Sequence, residues 1–159
     1  MGRDKAFVEW QGKTFLAHQL EKLAVFKKRI FLSVNAVQFN LLSSQFDCIL
    51  DHFPNKGPLG GIYSSLNERK QPLIFVPVDM PNAHVLIERL LKSPTSACFQ
   101  ANDQMQPFPM KLYPVLTTEI KMRLMVDKVT LKDYINNAGI ELIAANNIKA
   151  FINVNTLPT

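Results

Sequence analysis

The sequence has no apolar run approaching the roughly 18 residues needed to cross a bilayer. Its opening residues, Met1-Gly2-Arg3-Asp4-Lys5, are polar and lead into no apolar leader core. Neither a membrane span nor a signal peptide is expected, and the expected location is cytoplasmic. Cysteine is scarce. Cys48 and Cys98 lie far apart, each in an apolar stretch and without ligand-like spacing. That excludes a disulfide framework and predicts two buried, reduced thiols. A basic stripe is lacking too. The formal charge is +5, but the lysines and arginines are scattered. The densest cluster, Lys27-Lys28-Arg29, falls at the predicted end of a helix, where cations suit the dipole. No aromatic residues alternate with it, so nucleic-acid binding is not expected, although an anionic substrate fits the charge. There is no internal repeat, low-complexity segment or linker.

What remains is an ordinary globular composition in 159 residues, 47% hydrophobic and 19% charged, which suits one domain with one core. Thr14 can cap a helix in which Phe15, Leu16, Gln19, Leu20, Leu23 and Ala24 recur at helical spacing, with Glu21 and Lys22 outward. Arg29 to Val34 and Phe46 to Leu50 read as strands. A loop from Asp51 to Pro58 precedes a helix over Leu59 to Asn67. Pro72 to Val78 is the most continuous apolar run and predicts a strand buried on both faces, irregular near Pro77. Val85 to Leu91 reads as helix, and Ala97 to Ala101 and Met110 to Tyr113 as strands. Thr117 to Met125 is a predicted helix. Thr130 caps another through Asn137, ended by Gly139. Ile140 to Ala144 and Phe151 to Val154 read as late strands. The early alternation predicts an α/β fold. It is a three-layer, open, mostly parallel sheet with helices on both faces, completed by an antiparallel addition.

Four segments could carry chemistry. Ligands of such sheets bind beyond the carboxyl ends of the strands, where Val78-Asp79-Met80-Pro81 places a carboxylate. Asp79 reads equally as a magnesium ligand and as a turn cap. In Gly57-Pro58-Leu59-Gly60-Gly61-Ile62, glycines would let backbone approach a ligand at a helix N-terminus, or simply make a turn. Asp51 ends a short strand on the same side. Alternation would put Asn153 and Asn155 on one strand face, as cation ligands or as solvated edge groups. Lys5 could balance phosphate charge. His18, His52 and His84 have no partner in sequence, and neither cysteine has an apparent base.

The order of these segments is more specific than any one of them. MGRDKA, then Ser33-Val34-Asn35, Asp51 with KGPLGGI, VDMP and FINVNT resemble, in pattern and spacing, the molybdenum cofactor guanylyltransferase family over essentially the whole chain. The resemblance implies transfer of GMP from GTP to molybdopterin-bound molybdenum cofactor, with release of pyrophosphate. It implies magnesium as cofactor and GTP and a molybdopterin-type cofactor as ligands, with molybdoenzymes or cofactor-biosynthesis proteins as candidate partners. By resemblance Lys5, Asn35, Asp51 and the Gly57, Pro58 and Leu59 segment contact the nucleotide. Asp79 binds the metal and, with Lys5, is catalytic. Asn153 and Asn155 lie near the metal and the pterin, Asn155 as a second metal ligand, and Gln106 lies near the second substrate. The family pattern also opens with an apolar strand and a Gly-Gly-x-Ser-x-Arg loop ahead of the Met-Gly match. The chain starts after them. A single nucleotidyltransferase domain over 1–159 lacking its first strand is therefore expected, with weak or no transfer activity. A cytidylyltransferase acting on the same pterin, or a non-catalytic nucleotide- or partner-binding relative, are the alternatives.

Overall fold

The computed structural model describes residues 4–126 and 130–154. The chain enters through a single 3₁₀ turn, Lys5–Phe7, capped by the Asp4 carboxylate, which accepts the Ala6 N–H. Strands β1 (Glu9–Trp10) and β2 (Lys13–Thr14) form a small hairpin. Its turn residues, Gln11 and Gly12, both have positive φ, as a tight two-residue turn demands. Thr14 then caps α1 (Phe15–Ala24) as its sequence predicts, accepting the Ala17 N–H. Next come β3 (Leu32–Val34), α2 (Ala36–Leu42), β4 (Cys48–Leu50) and α3 (Pro58–Arg69). Then follow β5 (Leu73–Phe75), a 3₁₀ turn at Ala83–Leu86 leading into α4 (Ile87–Lys92), and the hairpin β6 (Ala97–Ala101) and β7 (Gln104–Leu112). The described chain closes with α5 (Thr117–Leu124), α6 (Leu131–Asn137), β8 (Glu141–Ala144) and a 3₁₀ turn, Ile148–Phe151.

The fold is a mixed α/β three-layer arrangement. One sheet runs β5-β7-β6-β8, with β7 antiparallel to both neighbours and β8 parallel to β6. Alternation along β6 assigns its two faces. Cys98 points into a core with Leu59, Ile62 and Leu66 of α3, Ile120 of α5 and Tyr134 of α6. Ala97 and Phe99 point the other way, into a core with Leu86, Leu90 and Ala150. Strands β3 and β4 pair in parallel as a second sheet, and no ladder among the described residues joins it to the first. Helix α3 spans both. Gly61 abuts Ser33 of β3, while Leu59, Ile62 and Leu66 enter the core of the larger sheet.

The structure corrects several expectations. Strand β5 is not buried on both faces. Among the described residues it is an edge strand paired only with β7, each of its residues is half-buried, and it stops at Phe75 ahead of Pro77, which has no N–H to give a ladder. Helix α2 was not expected at all. Phe151 to Val154 is not a strand, because the 3₁₀ turn runs through Phe151 and the next residues are irregular. Lys22 is not outward, since its Nζ donates to the Pro81 carbonyl at 2.6 Å. Strands β3, β4, β5 and β8 are shorter than read, β7 is longer, beginning at Gln104, and α3 extends from Pro58 to Arg69.

Candidate functional site

Asp79 follows the irregular stretch after β5. Its side chain is 12% exposed, and Lys5 Nζ donates to Oδ2 at 2.6 Å. The two residues are 74 apart in sequence, so the entry turn is folded back onto this strand end. The Asp79 carbonyl accepts the Val154 N–H at 2.9 Å. That bond brings the late segment, with Asn153, to the same turn. Asn155 lies outside the described residues, and Asn153 stands in irregular chain rather than on a strand.

The turn itself is gripped by α1. Gln19 Nε2 donates to the Pro77 carbonyl at 2.8 Å and to the Met80 carbonyl at 2.7 Å. Sequence reading placed Gln19 on an inward helix face but assigned it no role. The only available signal was an amide among leucines.

Asn35 and Asp51 follow the neighbouring parallel strands β3 and β4, so both stand at one end of that sheet. Asn35 is exposed and makes a capping box with Gln38, accepting its N–H at 2.9 Å while Gln38 Oε1 accepts the Asn35 N–H at 3.0 Å. Gln38 Nε2 also donates to Asp4 at 2.6 Å, tying the entry turn to α2. Asp51 Oδ1 accepts the Phe53 N–H at 2.8 Å. Its carboxylate lies against Gly60, where a Cβ would come within 2.9 Å and 3.1 Å of the two oxygens.

Gly57 takes φ +61 and ψ −157, and Pro58 starts α3. Leu59 is buried in the core, so only its backbone can meet a ligand. Asn55, Lys56, Gly57, Pro58, Arg123 and Thr130 help line a cavity of about 350 Å³ beside this helix start, whose lining does not include Lys5, Asn35, Asp51 or Asp79. Gln106 sits on β7 opposite Phe99 of β6.

The chemistry this arrangement permits is positional rather than covalent. Burial pushes the Cys98 thiol up to about 11. Burial, then the Asp47 charge, raises Cys48. Neither is a thiolate nucleophile at neutral pH. His18 meets the Trp10 carbonyl at 2.7 Å and His84 the Pro81 carbonyl at 3.2 Å, and His52 is exposed. Among the described residues no three His, Cys, Asp or Glu side chains gather as a metal cage. A lone, mostly buried carboxylate does fit magnesium, which takes one or two carboxylates and completes its shell with water and substrate phosphates.

The profile of the family described as "MobA-like NTP transferase domain" matches residues 1–131. The molybdenum cofactor guanylyltransferase of Shewanella putrefaciens is 29% identical over 165 residues, covering 98% of this chain and 85% of that protein. The enzyme of the same name from Xanthomonas euvesicatoria is 32% identical over 118 residues, covering 70% of this chain and 58% of its own. In structure, molybdopterin-guanine dinucleotide biosynthesis protein A from Archaeoglobus fulgidus matches with TM-score 0.74 and 17% identity, covering 98% of this chain and 86% of that one. At that identity the match shows a shared fold.

Proposed function

Since the chain belongs to the MobA-like NTP transferase family, we propose that it transfers GMP from GTP to the terminal phosphate of the molybdenum cofactor, acting in the cytoplasm. The relatives' names as guanylyltransferases support GTP over CTP. The observation that carries the site is the ion pair of Lys5 with Asp79 at the end of β5. In this reaction the cofactor phosphate oxygen forms a bond to the α-phosphorus, and the bond from that phosphorus to the β-phosphate oxygen breaks. Pyrophosphate leaves with that electron pair. No protein nucleophile takes part.

Lys5 is the mobile charge. Its side chain is half-exposed, so the ammonium can leave the Asp79 carboxylate for a phosphate oxygen when the nucleotide arrives. That exchange frees Asp79 as an oxygen ligand. Asp79 would hold magnesium, with Asn155 as the second protein ligand, and the ion would offset charge on the phosphate oxygens. Asn35 and Asp51 face the base and ribose from the ends of β3 and β4. The Gly57 to Leu59 backbone approaches the nucleotide, and Asn153 and Gln106 serve the pterin side. Molybdoenzymes that accept the product are the candidate protein partners. No helix among the described residues is long and apolar enough to cross a membrane.

The test is pyrophosphate release from GTP and molybdenum-loaded molybdopterin. Asp79→Ala is expected to lower it by about 100-fold or more with an unchanged circular dichroism spectrum. Release at the parent rate would remove Asp79 from the reaction. CTP turnover equal to GTP turnover would overturn the guanine assignment.

A further inference from the structure

Helix α1 buries two side chains, Phe15 and Gln19, while its leucines at 16, 20 and 23 are only half-buried, so one of its two innermost positions is an amide. Gln19 is 4% exposed. Burying an amide in place of a leucine costs stability unless its polar atoms are bonded. Here both Nε2 hydrogens are used, one on the Pro77 carbonyl and one on the Met80 carbonyl, and Oε1 has no partner. The direction of the amide is therefore fixed, because a flipped group would set its oxygen against two oxygens. The two carbonyls bracket Asp79. The turn's own closing bond, Met80 N–H to the Pro77 carbonyl, is long at 3.4 Å. Gln19 supplies a shorter bond to the same oxygen. One turn along the helix, Lys22 Nζ holds the Pro81 carbonyl.

We propose that Gln19 is a positioning residue. With Lys22 it fixes the 77–81 turn, and so sets the direction in which the Asp79 carboxylate faces Lys5 and a bound cation. This rests on the reading of Asp79 as a metal ligand. The cost of an unpaired buried oxygen is tolerated because the other end of the amide holds two backbone groups that no apolar side chain could hold.

Two readouts on the intact chain test it: Mn²⁺ affinity by calorimetry, and hydrogen exchange of the Val154 amide, which is bonded to the Asp79 carbonyl. Gln19→Met keeps the volume and removes the donors. Gln19→Glu keeps the shape and sets a carboxylate against two carbonyls. Both are expected to weaken Mn²⁺ binding about tenfold, as loss of a group orienting a metal ligand does, and to speed Val154 exchange. Thr14→Ala removes the cap of the same helix without touching the turn, and should leave both readouts within about twofold of the parent.

Asp79→Asn, expected to abolish binding, calibrates the experiment. Parent-like Mn²⁺ affinity in Gln19→Met, with binding lost in Asp79→Asn, would overturn the proposal. So would Thr14→Ala reproducing the Gln19→Met result, since helix stability alone would then explain it. If Asp79→Asn binds Mn²⁺ like the parent, the metal reading fails instead, and Val154 decides the rest. Faster exchange in Gln19→Met keeps Gln19 as the anchor of the turn, and unchanged exchange ends that role.

Discussion

Gly60 and Gly61 open the body of α3, and each is a glycine for a different reason. At Gly60 a Cβ would stand 2.5 Å from the Phe53 carbonyl oxygen, with the Asp51 carboxylate next nearest. The carbonyl is backbone and cannot turn away. Alanine should gain up to about 1 kcal/mol in helix propensity but lose roughly 1–3 kcal/mol to overpacking, and it should shift Asp51. At Gly61 the neighbour is the Ser33 hydroxyl, 2.6 Å from a Cβ, which can rotate. Urea unfolding should therefore show Gly60→Ala less stable than Gly61→Ala, and Gly61→Ala with Ser33→Ala at least as stable as the parent. Equal midpoints for the two single variants would show that the Phe53 carbonyl yields after all. The sequence reading took these glycines as room for a ligand or as a simple turn, and the groups that approach them within the chain are its own Phe53 carbonyl, Asp51 and Ser33. Ser33 lies on β3 and Asp51 just after β4, a placement that spacing within a motif cannot reveal. Of the two cysteines expected to be buried, only Cys98 is; Cys48, on the short strand β4, is half-buried. With Cys98 fully buried and its thiol raised to about 11, a thiol reagent at pH 8 should modify the half-buried Cys48 and leave Cys98 intact until urea is added. Equal labelling of both in the native protein would contradict that burial.

Helix caps show how an element can hide a role or disclose it. Thr14 and Thr130 were legible because each precedes a helical repeat of apolar residues, and both accept the expected N–H. Asn35 was not legible as a cap. The helix it starts is only seven residues long, and Val37 and Leu41 are exposed, so no apolar period announces it. The same asparagine is one of the residues proposed to contact the nucleotide, and substitution can separate the two duties. Asn35→Ala should cost about 1 kcal/mol of stability and weaken GTP binding. Asn35→Asp can keep the cap while replacing the amide donors with a second carboxylate oxygen. It should unfold at the parent's urea midpoint but bind GTP more weakly in a fluorescence titration. Parent-like GTP affinity in Asn35→Asp would leave Asn35 as a cap alone. Strands failed in the opposite direction. Pro72 to Val78 is apolar enough for a doubly covered strand, yet it stands at an edge, because hydrophobicity reports the wish for burial and not the neighbours available. Phe151 to Val154 alternates like a strand, but Phe151 packs on Phe99 and the Val154 N–H goes to Asp79, so local bonds displace the ladder.

Helix and strand alternation foretold parallel pairing, and β3 with β4 and β6 with β8 are parallel. An antiparallel addition among the late elements was expected, and β7 is antiparallel, but it runs between β5 and β6, turned back by the positive-φ pair Asn102-Asp103 in the hairpin before it. What no local pattern could show is how unevenly the molecule is held. The β6–β7 hairpin lies between two cores, whereas no residue from 32 to 50 belongs to either. That region buries only Val34, Leu42 and Ile49 of its own apolar side chains and leans on α3. Local opening follows the number of buried apolar contacts, so residues 32–50 should exchange amide hydrogens well before β6 and β7. Asn35 lies within this weaker part and Asp51 directly follows it. A ligand held there would stabilise it by mass action, about 2.7 kcal/mol at 100 times its dissociation constant. Adding GTP with magnesium should therefore slow exchange across 32–50 far more than in β6 and β7, which already open only by global unfolding. Protection gained elsewhere while 32–50 stays fast would move the nucleotide off the ends of β3 and β4. Equal protection of 32–50 and β6–β7 in the free protein would show instead that α3 binds the two sheets into one cooperative unit.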